Sequence, residues 1–158
     1  MKSENFLEIV KGHPFMKELL PEHLDKLGEL AQDARFERDQ IIFREGDASS
    51  FFYLLLSGKV ALEVTAVGRT IRIQTVSDGQ ELGWSSVLPS EGKHFQARAL
   101  SSVRALVFDG ARLREACAED PSFGYALLRR LLAVVADRLQ ATRVQLLDMY
   151  SPAGARQS

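Results

Sequence analysis

The sequence predicts a mainly β domain with helices at both ends (α+β): an antiparallel barrel or roll at residues 35–109, N-terminal helices over 1–34 and C-terminal helices over 110–150. Three observations carry this. Apolar residues first recur at helical spacing. They then give way to short runs rich in valine, isoleucine and aromatics, separated by glycine turns. After Asp109 the helical period returns and is kept up to Tyr150.

In the first region Phe6, Ile9 and Val10, then Phe15, Leu19 and Leu20, then Leu24, Leu27 and Leu30 mark short helices. Pro14 and Pro21 divide them, because proline suits a first helical turn and disrupts an interior. In the second region the turns fall at Gly46-Asp47, Ser57-Gly58, Gly68, Asp78-Gly79 and Glu91-Gly92, close enough together for short antiparallel strands. In the third, "RLREACAED" reads as a short helix. Asp120-Pro121 is then an N-cap and first-position signal for a helix of roughly 30 residues, long for a globular protein.

Leu128, Leu132, Val135, Leu139, Thr142, Leu146 and Met149 fall on that helix at alternating spacings of four and three. A seam kept up for about three heptads is a coiled-coil pattern, and a helix of about 45 Å outruns a small roll. The spacing therefore predicts a homodimer through the C-terminal helix. The tail, 151–158, has no apolar run and is expected to be disordered.

The 158 residues suit one domain, placed at 1–150, with 46% hydrophobic and 26% charged residues. A net charge of −1 argues against a general nucleic-acid binder. Arg112, Arg114, Arg129, Arg130 and Arg138 read as a solvated helix surface. Cys117 is the only cysteine, so no disulfide framework exists, and with no long apolar run the default location is cytoplasmic, off the membrane. His13, His23 and His94 stand at no metal-ligand spacing, and no nucleophile elbow, Walker loop or Rossmann glycine pattern is present. No enzyme is expected.

The stretch "IIFREGDASSFFYLLLSGKVAL", residues 41–62, resembles the cyclic-nucleotide-binding domain of the catabolite activator group, of gated channels and of kinase regulatory subunits. The matching residues are Phe43, Gly46, Asp47, Ser49, Phe52, Tyr53, Leu55, Gly58, Val60 and Leu62. The likeness runs from about Phe15 to Tyr150. It implies an eight-stranded β-roll, jelly-roll-like, with N-terminal helices and a long C-terminal dimerisation helix.

The resemblance makes "DGQELGWSSVLPSEGKHFQARAL", residues 78–100, the phosphate-binding cassette. In the family a short helix offers amides to the cyclic phosphate, an arginine neutralises it and a glutamate holds the ribose. The candidate positions here are Gly79, Glu81, Leu82, Gly83, Trp84, Ser85, Lys93 and His94. Two registers are open. Matching "ELG" gives Glu81 the ribose role. Matching the two glycines puts Trp84 there and Lys93 or His94 at the phosphate arginine. The glycine register is favoured, because a turn glycine answers a backbone requirement other residues meet poorly. Arg98 is expected to alternate outward from its strand.

Both side-chain contacts are then replaced. The ligand is left unknown, cyclic AMP or cyclic GMP at a degenerate site, and the usual cyclic AMP pose is not expected. The functional expectation is a dimeric, non-catalytic sensor or regulatory domain acting through an effector protein. No helix-turn-helix follows Tyr150, so direct DNA binding is not expected. The alternatives are a ligand-free interaction module working through the long helix, or a haem or redox sensor using His94 or Cys117.

Overall fold

In a computed structural model, residues 4–48, 50–87 and 95–150 are described. Eight antiparallel strands form two four-stranded sheets flanked by four α-helices, the roll that the sequence led us to expect. The N-terminal helices are α1 (Glu4–Gly12) and α2 (Pro21–Leu30), with a 3-10 turn at Pro14–Met16 between them. Pro14 and Pro21 both occupy first turns, where their missing N–H costs nothing. The first strand, β1 (Gln32–Phe36), begins two residues after α2 ends, inside the stretch read as helical. The helical spacing stops at Leu30, and Ala31 is already extended.

The strands that follow are β2 (Ile41–Phe43), β3 (Phe51–Ser57), β4 (Val60–Ala66), β5 (Arg69–Val76), β6 (Glu81–Leu82), β7 (Gln96–Ala99) and β8 (Val103–Asp109). One sheet has the order β1-β8-β3-β6, the other β2-β7-β4-β5. Strand β3 explains why "FFYLLLS" has no polar alternation. Phe52 and Leu54 face the helices, while Tyr53 and Leu55 face the interior between the sheets. Both faces are covered, so both must be apolar.

Two cores result. One joins Phe52, Leu54, Leu106 and Phe108 to Val10, Phe15, Leu27, Leu113, Phe123, Leu127 and Leu131 of the helical layer. The other fills the roll with Phe43, Tyr53, Leu55, Val60, Leu62, Val76, Leu82, Ala97, Ala99 and Val103. Each fully buried valine, leucine or phenylalanine among them contributes about 1.5–3 kcal/mol of transfer free energy.

After the roll, α3 (Gly110–Glu119) is capped by Asp109, whose carboxylate accepts from Ala111 N (2.9 Å) and Arg112 N (3.4 Å). Helix α4 (Pro121–Tyr150) has 30 residues. Its first half buries Phe123, Gly124, Leu127, Leu131 and Val134 against its own domain, a face the seam reading did not separate. Of the seam, Leu128, Leu132, Leu139, Leu146 and Met149 are exposed, Leu132 by 68% and Met149 by 77%. Val135 is half-buried, and Thr142 is exposed and donates its hydroxyl to the Arg138 carbonyl at 2.9 Å. The helix thus carries two stripes, one packed on the roll and one bare.

Candidate functional site

The cassette begins at a turn whose backbone is fixed from several sides. Gly79 holds φ 79° and donates its N–H to the Leu55 carbonyl at 3.0 Å, and Leu55 N returns a bond to Gln80 O at 2.9 Å. The Gln80 side chain accepts from Ser77 N at 2.8 Å, and Asp78 accepts from Gly58 N at 2.8 Å, which ties the turn to the β3–β4 hairpin. Strand β6 then pairs Leu82 with Tyr53 and Glu81 with Leu54. Gly83 holds φ 78° and ψ 26°, the left-handed region where a side chain is strained, and starts a 3-10 turn at Trp84–Ser86.

Strand alternation separates the two candidate residues of β6. Leu82 enters the core between the sheets. Glu81 is half-buried, and the charges acting on it, Arg138, Arg130 and Asp137, all stand on α4. Burial raises the Glu81 carboxyl above its ordinary range, and the two guanidiniums pull the other way without overcoming it. Arg138 donates to the Glu81 backbone carbonyl, and burial lowers the Arg138 guanidinium from its ordinary value.

Trp84 is half-buried and packs against the core shared with the helices. Ser85 is half-buried beside it, and Ser86 is fully buried, with no hydrogen-bond partner for its hydroxyl among the described residues. The exit of this turn is held by α3. Arg114 donates to the Ser86 carbonyl, and a Cβ at Gly110 would stand 2.4 Å from that same oxygen, so only glycine allows the approach. Lys93 and His94 lie outside the described residues.

The N-terminal layer closes the other side. His13 is buried. Its Nδ1 accepts from Phe15 N and its Nε2 donates to Leu55 O, each at 3.0 Å, which sets the tautomer. The Leu55 carbonyl therefore receives both His13 and Gly79. Arg130 of α4 donates to Phe15 O at 2.9 Å and to Pro14 O at 3.3 Å. Sequence reasoning took Arg130 and Arg138 as a solvated surface. Their positions on the inward face of α4, in line with Leu127, Leu131 and Val134, were the available signal.

Arg98 points out of the roll. Ala97 and Ala99 on either side are fully buried, and Arg98 pairs with Glu63 (2.7 Å) and Asp39 (3.2 Å). Arg98 and Glu63, with Thr70, Arg72 and Gln96, line an open cleft of about 490 Å³ on the outer face of β4, β5 and β7. Cys117 is half-buried on α3 against Gly124, its thiol raised by burial, and no group of three potential metal ligands occurs among the described residues.

A family profile described as the cyclic nucleotide-binding domain matches residues 34–120. A protein of Rhodopseudomonas palustris assigned as a potassium channel is 32% identical over 111 residues, 69% of this chain and 26% of its own. A CRP-like cAMP-activated global transcriptional regulator of Mycobacterium tuberculosis is 28% identical over 82% of this chain and 56% of its own length. The chain thus spans about half or less of these curated relatives. Among solved structures, a cyclic nucleotide-binding domain from Methylobacillus flagellatus superposes with TM-score 0.80 at 23% identity, covering 94% of this chain and 84% of that one. The catabolite activator protein of Thermus thermophilus does so with TM-score 0.70 at 24% identity, covering 86% and 62%. The profile takes in more than half the chain, and the two-sheet roll with its flanking helices has the same fold as these structures: the chain belongs to the cyclic nucleotide-binding domain family.

Proposed function

We propose that this chain is a non-catalytic sensor domain, in which a small anionic ligand of the cyclic nucleotide class at the cassette alters α4 and, through it, a homodimer. One observation carries the reading. Arg138 bonds α4 to the cassette strand at Glu81, while the adjoining stripe of the same helix stands bare for a second copy. A change at the cassette would then move a dimer helix through a direct contact. Trp84 after Gly83 argues for a pose other than the family's usual one, since an indole replaces the ribose acceptor. A downstream effector protein would read the dimer. No described helix is long and apolar enough to cross a membrane, and the single cysteine fits a reducing, cytoplasmic setting.

The half-buried packing of Trp84 on the helical core favours a second reading, a ligand-free interaction module. Native mass spectrometry of the purified chain, followed by titration with cyclic AMP and cyclic GMP under sedimentation, separates the two. The sensor reading expects a bound mass or a nucleotide-dependent change in self-association. Neither effect at millimolar nucleotide would leave the interaction module.

A further inference from the structure

Two arginines stand opposite one another on the sheet that packs against the helices. In the β1–β8 ladder Arg35 is the register partner of Arg104, which sets like charges on Cβ atoms about 5 Å apart. Such a pair is unfavourable without a counter-charge, and one carboxylate serves both. Arg104 grips Asp33 with Nε and Nη2, at 3.1 and 2.8 Å, while Arg35 acts on Asp33 only through its charge. Arg35 is exposed and makes no hydrogen bond or ion pair among the described residues.

The two guanidiniums border a cleft of about 560 Å³ between β1, the β3–β4 turn and the β7–β8 turn, and no residue lining it belongs to the cassette. Gly58 lets the two turns meet. It holds φ 101°, and a Cβ there would stand 2.4 Å from the Ser102 carbonyl. Ser57 and Ser102 thus line one cleft, both exposed, their hydroxyls uncommitted among the described residues. Gln40 accepts from Glu37 N at 3.0 Å with its side-chain oxygen and keeps its amide donors free. Half-buried Phe36 and buried Val103 supply an apolar wall, and Glu37, exposed, is the only carboxylate in the lining.

From this juxtaposition we infer that the cleft is a binding site separate from the cassette, and that it takes a phosphate monoester carried on an apolar, planar body. A carboxylate has two oxygens, which a single arginine fork saturates. This cleft offers the whole guanidinium of Arg35, the remaining Nη1 of Arg104, two hydroxyls and an amide, a set that matches the three oxygens of a phosphate. The dianion supplies the negative charge that the Arg35–Arg104 pair lacks, and Phe36 covers the body beside it.

The test uses the full chain and records the side-chain Nε resonances of Arg35 and Arg104 at constant ionic strength. The probes are phenyl phosphate, benzoate, inorganic phosphate and phenol. Phenyl phosphate should move both resonances saturably, with an affinity at least tenfold above those of benzoate and inorganic phosphate, and phenol should move neither. Arg35→Gln leaves Asp33 paired with Arg104, so it should keep the urea midpoint of wild type while weakening phenyl phosphate at least tenfold. Arg35→Lys should weaken it several-fold. The inference falls if millimolar phenyl phosphate gives no saturable shift, or if Arg35→Gln binds it as wild type does. Benzoate or inorganic phosphate binding as tightly as phenyl phosphate would overturn it too. Because both resonances report the cleft itself, any of these failures leaves the sensor reading of the cassette standing.

Discussion

Glu63 on β4 and Arg98 on β7 meet in a two-point contact, Arg98 Nη2 at 2.7 Å and Nε at 3.2 Å from the two carboxylate oxygens. Gln96 Nε2 adds a third donor at 2.9 Å. The Glu63 side chain is only 5% exposed, so its charge depends on these partners.

Arg98→Ala should therefore destabilise the fold more than Glu63→Gln, because it strands a buried carboxylate. The expected cost is about 3 kcal/mol in urea unfolding at neutral pH. The Arg98 hydrogen bonds hold the Glu63 carboxyl below its ordinary value, as Arg104 holds Asp33. A carboxyl with a depressed folded value contributes stability above its unfolded value, and that stability is lost as pH falls through the folded one. Acid unfolding should thus begin below about pH 4.3, and Arg98→Ala should flatten that limb. A wild-type acid limb retained in full by the variant would count against the contact.

His13 sets a second, higher pH dependence. Burial lowers its pKa, against weaker opposition from the Leu55 and Gln80 backbone. The neutral ring accepts from Phe15 N, and protonation removes that acceptor. The unfolded chain takes up this proton first, so stability should decline as pH falls below about 6.5, well above the carboxylate range. His13→Asn keeps a capping oxygen for Phe15 but does not titrate. It should cost about 1 kcal/mol at pH 7.5 and remove the slope that sets in below about pH 6.5, read by urea midpoints at each pH.

These two cases show what the sequence could and could not disclose. The roll was legible because Gly46, Gly58, Gly68 and Gly79 all take positive φ at turns between β-rich runs, a requirement written in residue type. The outward direction of Arg98 was legible from the alternation of Ala97 and Ala99. The contacts of His13, Arg130 and Arg138 were not. Each side chain bonds a backbone carbonyl, those of Leu55, Phe15 and Glu81, and a carbonyl leaves no mark on residue identity. The inner stripe of α4 was hidden for another reason. Leu127 and Leu131 sit one residue before Leu128 and Leu132, so two apolar stripes overlap in one periodic signal.

The bare stripe should hold a homodimer. Leu128, Leu132, Leu139 and Leu146 are at least 44% exposed in the single chain and form a stripe about 100° round the helix from buried Leu127, Leu131 and Val134. Leu132→Glu with Leu139→Glu places like charges at the centre of that seam without touching the inner face. Sedimentation should change from dimer to monomer at micromolar protein, with the unfolding midpoint of the isolated domain little altered. A double variant that still sediments as wild type does would remove α4 as the interface.

On the proposed sensor reading, a nucleotide at the cassette would meet Trp84 or Glu81, and the two registers predict different outcomes. Trp84 directly follows the left-handed Gly83, and in the glycine register it occupies the position of the ribose acceptor. Glu81 precedes Leu82, which faces the interior of the roll, and the charges acting on Glu81 all belong to α4. Wild type should therefore bind cyclic AMP and cyclic GMP weakly, and Glu81→Gln should leave that affinity within about twofold. Trp84→Glu combined with Lys93→Arg supplies a ribose acceptor and a forked phosphate partner, each charge-assisted bond contributing about 1.5–3 kcal/mol. The gain should be at least tenfold, measured by calorimetry because the substitution removes the chain's only tryptophan. For wild type and Glu81→Gln the Trp84 fluorescence reports the same titration directly. If Glu81→Gln abolishes micromolar binding by wild type, Glu81 holds the ribose, and the register that matches "ELG" replaces the one that matches the two glycines.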